Sequence, residues 1–434
     1  MYISERQNKT QNQRIAVQDP KVKDIRKGTF MLPSGTSTSS PERTLFNPDL
    51  RTTLLALIPA LFLAACAFPP DSALYEKSPD IPPYMQDEFA RYVSETREWV
   101  ATHRVFLTDD HDMEITRNSP FEVRPQTTSK DQPTRGVLFV HGLGSSPWYF
   151  HDIATEMARN GWLARSMLLP GHGTRPGDLN LPDYADWTRS VAHQVALLER
   201  DVDEVWLGGF STGGNLVTSY AAQNPEIAGL LLFSPGIEPD SGLLFLAPVV
   251  QYLWDWVDVD PEDNVINYQS LSTKASALYY HSVREARESL DAVPFDRPAL
   301  ITISADDSVL DPLETLRTFE TDFPRPSSHL IWYDDAPAPS SDPRVETLNS
   351  NLPDQQISNF SHLGVLFSPD NPYYGVKGSF VFVENGQEDI ALPNDLSTIW
   401  RSGWGYSEPG KYHGRLTWNP YFDELIETIQ DVTN

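Results

Sequence analysis

Val205-Trp206-Leu207-Gly208-Gly209-Phe210-Ser211-Thr212-Gly213-Gly214-Asn215-Leu216-Val217 is the most informative segment of the chain. An apolar run suited to a buried strand leads into Gly-x-Ser-x-Gly, and a helix-like run follows as far as Ala222. A chain that turns this sharply from strand to helix has no room for side chains two residues before and two after the serine. Glycine meets that demand at Gly209 and Gly213. The turn pushes the Ser211 hydroxyl above the sheet edge, beside the free N–H groups that open the helix. Ser211 is the candidate nucleophile.

Outward from this turn the chain alternates between strand and helix. Residues 136–140 form a continuous apolar run, the pattern of a parallel strand buried on both faces. Helices are expected over 150–160, 185–200 and 212–223, with strands over 162–169, 204–208 and 227–234. Strand 298–303, helix 313–319 and strand 329–333 continue the rhythm. A terminal helix is expected to start from an N-cap at Asn419, with Pro420 in its first position. An amphipathic helix is expected over 84–103. The alternation predicts an α/β fold: a mostly parallel central sheet with helices on both faces. Residues 236–294 break it with Leu243-Leu244-Phe245-Leu246-Ala247 and the aromatic run Tyr252-Leu253-Trp254-Asp255-Trp256. They read as an inserted, largely helical cap.

Composition narrows the functional classes. The chain has 434 residues, 40% of them apolar, enough for a substantial core. Its formal net charge of −27 repels phosphate backbones and disfavours a nucleic-acid partner. The single cysteine, Cys66, excludes an intramolecular disulfide and a cysteine-rich zinc site.

A serine hydroxyl is a poor nucleophile at neutral pH unless an imidazole takes its proton and a carboxylate orients that imidazole. The carboxylate is expected just past strand 298–303, where Asp306 and Asp307 both stand. Three histidines follow: His329, His362 and His413. His329 opens a strand and reads as structural. The tetrahedral anion needs two backbone donors. One is the N–H of Thr212. The other is assigned to Leu143 in His141-Gly142-Leu143-Gly144-Ser145-Ser146, whose glycines allow close approach to a substrate. His141, and His172 in Pro170-Gly171-His172-Gly173, read as structural parts of loops beside the site. The cap and Trp148-Tyr149-Phe150 are candidates for lining an acyl pocket. No metal or organic cofactor is implied.

Taken together, Val140-His141-Gly142-Leu143-Gly144, Leu169-Pro170-Gly171-His172-Gly173, Gly209-Phe210-Ser211-Thr212-Gly213 and the loops of Asp307 and His362 resemble the α/β-hydrolase superfamily. Within it the chain looks like the carboxylesterase and monoacylglycerol-lipase group. The resemblance spans residues 135–235 and 295–365. It implies Asp307, two before Val309 and five before Pro312, as the acid, with Asp306 as runner-up. It implies His362, in Ser361-His362-Leu363-Gly364, as the base, with His413 as runner-up. Residues 365–417 are then an extra segment before the last helix, within a hydrolase domain of residues 84–434. The implied activity is cleavage of small-molecule carboxylic esters through an acyl-enzyme. Thioesters or lysophospholipids are alternative substrates for the same triad, and a non-catalytic, lipid-anchored binding protein is the alternative of a different class.

The N-terminal region carries a separate signal. Residues 54–65 are apolar, with Arg51 upstream, and end in Leu63-Ala64-Ala65-Cys66. This resembles the lipobox of bacterial lipoprotein signal peptides, in which the cysteine is lipidated and becomes the mature N-terminus. It implies removal of residues 1–65, lipidation at Cys66 and a tether over 66–83. Ala67 in the second mature position is similar to the outer-membrane sorting pattern, so the expected location is the bacterial cell envelope, as an outer-membrane lipoprotein facing the periplasm.

Overall fold

The computed structural model describes residues 69–125, 134–240, 242–387 and 390–434. The leader 1–65 and Cys66 lie outside the described residues. Eight strands form one sheet in the order β1-β3-β2-β4-β5-β8-β9-β10. They are β1 (Phe121–Val123), β2 (Arg135–Val140), β3 (Leu163–Met167), β4 (Glu204–Phe210), β5 (Gly229–Phe233), β8 (Ala299–Ser304), β9 (His329–Tyr333) and β10 (Val345–Leu348). Only β1 runs antiparallel to its neighbour. The apolar runs form parallel strands because both of their faces are covered. In β2, Leu138 and Val140 enter one core while Val137 and Phe139 enter the other.

The first core is closed by α1 (Phe89–His103), α4 (Tyr184–Leu198), α5 (Thr212–Gln223), α7 (Thr273–Ala292) and α8 (Pro312–Asp322). The second is closed by α3 (His151–Arg159) and α9 (Phe422–Thr433). A short α2 (His111–Arg117) precedes the sheet. Helix boundaries follow local chemistry. Asp183 and Asp186 form a capping box at the start of α4, and Asp311 caps α8 ahead of Pro312.

Four expectations change. First, α7 is part of the main helical layer and packs on α5, with Leu278, Ala286 and Leu290 in the core. The insertion is therefore shorter than 236–294 and only partly helical. It holds α6 (Ala247–Val250) and the antiparallel pair β6 (Trp256–Asp258) and β7 (Leu271–Ser272). The spacing of apolar residues in α7 places them on one face, which the core claims.

Second, the described part of the expected tether is fastened to the body. The Ser78 amide and hydroxyl donate to the two Asp178 oxygens at 2.6 and 2.7 Å, and Gly177 N–H donates to Leu74 O at 2.9 Å. A Cβ at Gly177 would lie 2.1 Å from Glu76 O. Prolines lack donors and make the segment look unattached, but the Leu74, Tyr75 and Ser78 amides find acceptors.

Third, the last helix begins at Phe422. Asn419 instead caps the turn before it, accepting from Tyr421 N–H, and ties the turn to the sheet through Tyr333 Oη at 2.9 Å. Fourth, the segment 365–417 is built into the second core through Val365, Phe367, Tyr374 and Leu416. It carries a small parallel pair, β11 (Trp400–Ser402) and β12 (His413–Arg415).

Candidate active site

The turn between β4 and α5 has the geometry its glycines predict. Ser211 sits at φ 51°, ψ −117°, a backbone state that costs a non-glycine residue about 1–3 kcal/mol. The neighbours leave no slack. A Cβ at Gly213 would stand 1.9 Å from Val140 O, and one at Gly209 would stand 2.5 Å from the Gly213 backbone. The strained serine is pinned on both sides. Its N–H donates to Phe233 O at 3.1 Å and its carbonyl accepts from Gly236 N–H at 3.0 Å.

The loop after β9 and β10 carries His362, and three serines fix it. Ser234, at the end of β5, donates to His362 O at 2.9 Å. Ser304, at the end of β8, donates to Phe360 O at 3.0 Å, and Ser361 donates to Leu416 O at 2.6 Å. The imidazole lies beside the Phe210 ring, 4.9 Å between centroids. Its Nδ1 is 2.7 Å from Asp307 Oδ2. The Asp307 side chain is fully buried, and its Oδ1 accepts from the amides of Val309 and Leu310 at 2.9 and 3.1 Å. A carboxylate has no proton to give, so this contact fixes Nδ1–H as the donor and leaves Nε2 as the acceptor nitrogen. Among the described residues no group hydrogen-bonds Nε2.

Ser211, His362, Leu143 and Thr212 line one cavity of about 380 Å³. The two runner-up residues lie elsewhere. Asp306 is half-buried, without contact to an imidazole, and burial together with the Asp334 charge raises its pKa. His413 is fully buried on β12, its Nε2 3.1 Å from Ser358 Oγ and 3.5 Å from Glu408 Oε1. Burial lowers its pKa, against the opposing pull of Glu408. His329 bridges strands, 3.1 Å from Glu346 on β10.

Thr212 and Leu143 reach the same cavity from different elements. Thr212 opens α5, where the first N–H groups have no intrahelical acceptor. Leu143 lies in the loop after β2. A Cβ at Gly142 would meet Phe210 Cδ1 at 2.9 Å and Ser211 Cβ at 3.2 Å, so only glycine lets that loop come this close. Two imidazoles brace it. His172 Nε2 accepts from Gly144 N–H at 3.0 Å, and His141 Nε2 accepts from Leu169 N–H at 3.1 Å. Each imidazole turns its Nδ1 to a backbone carbonyl. Burial holds both neutral: His172 is pushed down to about 4 and His141 well below its ordinary value.

The insertion adds an apolar compartment of about 510 Å³ that shares Leu143, Tyr279 and Val309 with the first. Leu244, Leu246, Val250 and Trp254 line it. Of the aromatic run expected at an acyl pocket, only Tyr149 lines the site cavity. Phe150 is buried in the core between Phe139 and Phe233, and Trp148 stacks on His151. Sequence reasoning missed Asn267, Tyr268, Phe382, Trp404 and Arg415, which complete the cavity wall. They come from the insertion and from 365–417, and no local pattern announces where such segments return.

A family model described as serine aminopeptidase, S33 matches residues 131–286. A thermostable monoacylglycerol lipase of Bacillus sp. (strain H-257) is 26% identical over 183 residues, which is 41% of this chain and 72% of that protein. Among solved structures, one described under the metagenome-derived lipolytic enzymes LipS and LipT is 23% identical and covers 50% of this chain and 86% of its own, with a TM-score of 0.41. The monoacylglycerol lipase of Paleococcus ferrophilus is 19% identical, covering 49% of this chain and 87% of its own, with a TM-score of 0.41. The eight-stranded, mostly parallel sheet with helices on both faces is an α/β-hydrolase fold, and the family match falls on the part of it that carries the Ser211 turn.

Proposed function

We propose that the protein is a serine hydrolase that cleaves carboxylic esters through an acyl-enzyme. One observation carries this reading: His362, oriented by the buried Asp307, lines the same cavity as Ser211 on its strained turn. Ser211 Oγ gives its proton to His362 Nε2 and attacks the ester carbonyl. The amides of Leu143 and Thr212 stabilise the resulting anion, aided by the N-terminal end of α5. His362 then protonates the leaving alcohol. Water repeats the sequence on the acyl-enzyme and releases the acid. The apolar compartment beside Leu143 suits an acyl chain.

The test is steady-state hydrolysis of p-nitrophenyl esters of rising acyl length. Wild-type protein is expected to turn over, with Ser211→Ala slower by about 10⁴-fold or more. Equal rates would remove Ser211 from the chemistry. The lipobox supports lipidation at Cys66 and attachment to the bacterial cell envelope. Cys66→Ser is expected to block processing and release the protein from membranes, and unchanged processing would refute the anchor.

A further inference from the structure

Among the described residues Arg415 is the one arginine lining the cavity of Ser211 and His362, and the reaction proposed above gives it no task. It stands at the end of β12, in the extra segment 365–417. Its guanidinium lies over the Phe382 ring, 4.1 Å from the centroid, and Phe382 lines the same cavity. Among the described residues no carboxylate pairs with it, and its Nε is buried without a hydrogen-bond acceptor. Glu384 and Asp260 act on it only at longer range, and burial lowers its pKa. A half-buried guanidinium without a partner is costly unless something else supplies the anion. The protein is strongly acidic overall, so this positive group is a local exception on the cavity wall.

We propose that Arg415 is a specificity residue that binds an oxyanion, carboxylate or phosphate, carried by the ester substrate itself. The inference rests on the ester-hydrolase reading and names its substrate class. Arg415 lines the site cavity and is absent from the apolar compartment, whose wall is formed by Leu244, Leu246, Val250 and Trp254. The charged group therefore sits on the half of the substrate that does not enter the apolar compartment. The planar guanidinium fork matches either oxyanion with two N–H donors, and the Phe382 face holds it flat. A cavity of about 380 Å³ suits a compact head group beside the scissile ester.

The experiment uses three probes with one acyl chain: the octanoyl esters of glycerol, of glyceric acid and of glycerol 3-phosphate. The wild-type protein is expected to favour one or both anionic esters over the glycerol ester by about tenfold to a hundredfold in kcat/KM. The two anionic arms separate carboxylate from phosphate. Arg415→Gln is expected to collapse that ratio and Arg415→Lys to keep part of it. A wild-type ratio at or below one, or a ratio untouched in Arg415→Gln, overturns the inference. Hydrolysis of the glycerol ester without anionic preference sinks the inference alone, whereas failure to hydrolyse any of the three sinks the ester-hydrolase reading with it. Should Arg415→Gln not fold, the wild-type protein suffices. Decanoate or decyl phosphate is expected to inhibit about tenfold more tightly than decanol, and equal inhibition overturns the proposal.

Discussion

Replacing Asp307 by Asn separates the orienting carboxylate from everything else at the site. Asp307 Oδ1 is engaged by two backbone amides, from Val309 and Leu310, while Oδ2 faces His362 Nδ1 at 2.7 Å. An asparagine at this position must keep its carbonyl oxygen on the two amides, because an NH₂ group there would oppose two donors. Its NH₂ then faces the imidazole and donates to Nδ1. The ring must carry its proton on Nε2, the nitrogen that accepts from Ser211 in the proposed mechanism. Fold and cavity are retained and the base is lost. In the serine-protease triad the same change costs about 10⁴-fold, or roughly 5.4 kcal/mol of transition-state stabilisation. The assay is kcat/KM on a soluble ester, with urea unfolding as a check on stability. Asp306→Asn is the control, since Asp306 touches no imidazole, and it is expected to stay within about threefold of wild type. A D307N enzyme within tenfold of wild type, or equal losses in both variants, would remove Asp307 from the orienting role.

Further outcomes follow from the geometry. Gly213→Ala sets a methyl 1.9 Å from Val140 O, a backbone atom that cannot swing aside. It should cost about 1–3 kcal/mol in urea unfolding and most of the proposed esterase activity. His172 is held neutral by burial, with its pKa pushed down to about 4. The unfolded chain protonates near pH 6.5 while the folded chain does not, so stability falls as the pH drops from 6.5 towards 4. This group contributes up to roughly 1.4 kcal/mol per pH unit in that window, and urea midpoints at pH 7, 6 and 5 should show a shallower slope in His172→Gln. His413→Gln breaks the contacts to Ser358 and Glu408 and should lower the unfolding midpoint, while a fluorophosphonate still labels the protein. Loss of labelling in a folded H413Q protein would contradict the role given to His362.

Local chemistry made much of this molecule legible. Parallel strands buried on both faces must be apolar throughout, so β2, β4, β5, β8 and β9 stand out in the sequence. The Ser211 turn is equally plain, because its sterics admit only glycine at Gly209 and Gly213. The strap around Ser78 was not legible. It depends on Asp178, a hundred residues away in sequence. β10 also escaped, since Val345–Leu348 is a half-exposed edge strand with weak apolar patterning. The cavity wall was the least legible part of the site. Tyr268 and Arg415 reach it through tertiary packing of the insertion and of β12, and nothing in their immediate neighbours differs from an ordinary loop.

The role of Ser211 is read out by trapping it covalently. After reaction with a fluorophosphonate, peptide mass spectrometry should find a single adduct on the peptide carrying Ser211, at Oγ, and none in Ser211→Ala. An adduct on another residue, or labelling that persists in Ser211→Ala, would rule out Ser211 as the nucleophile.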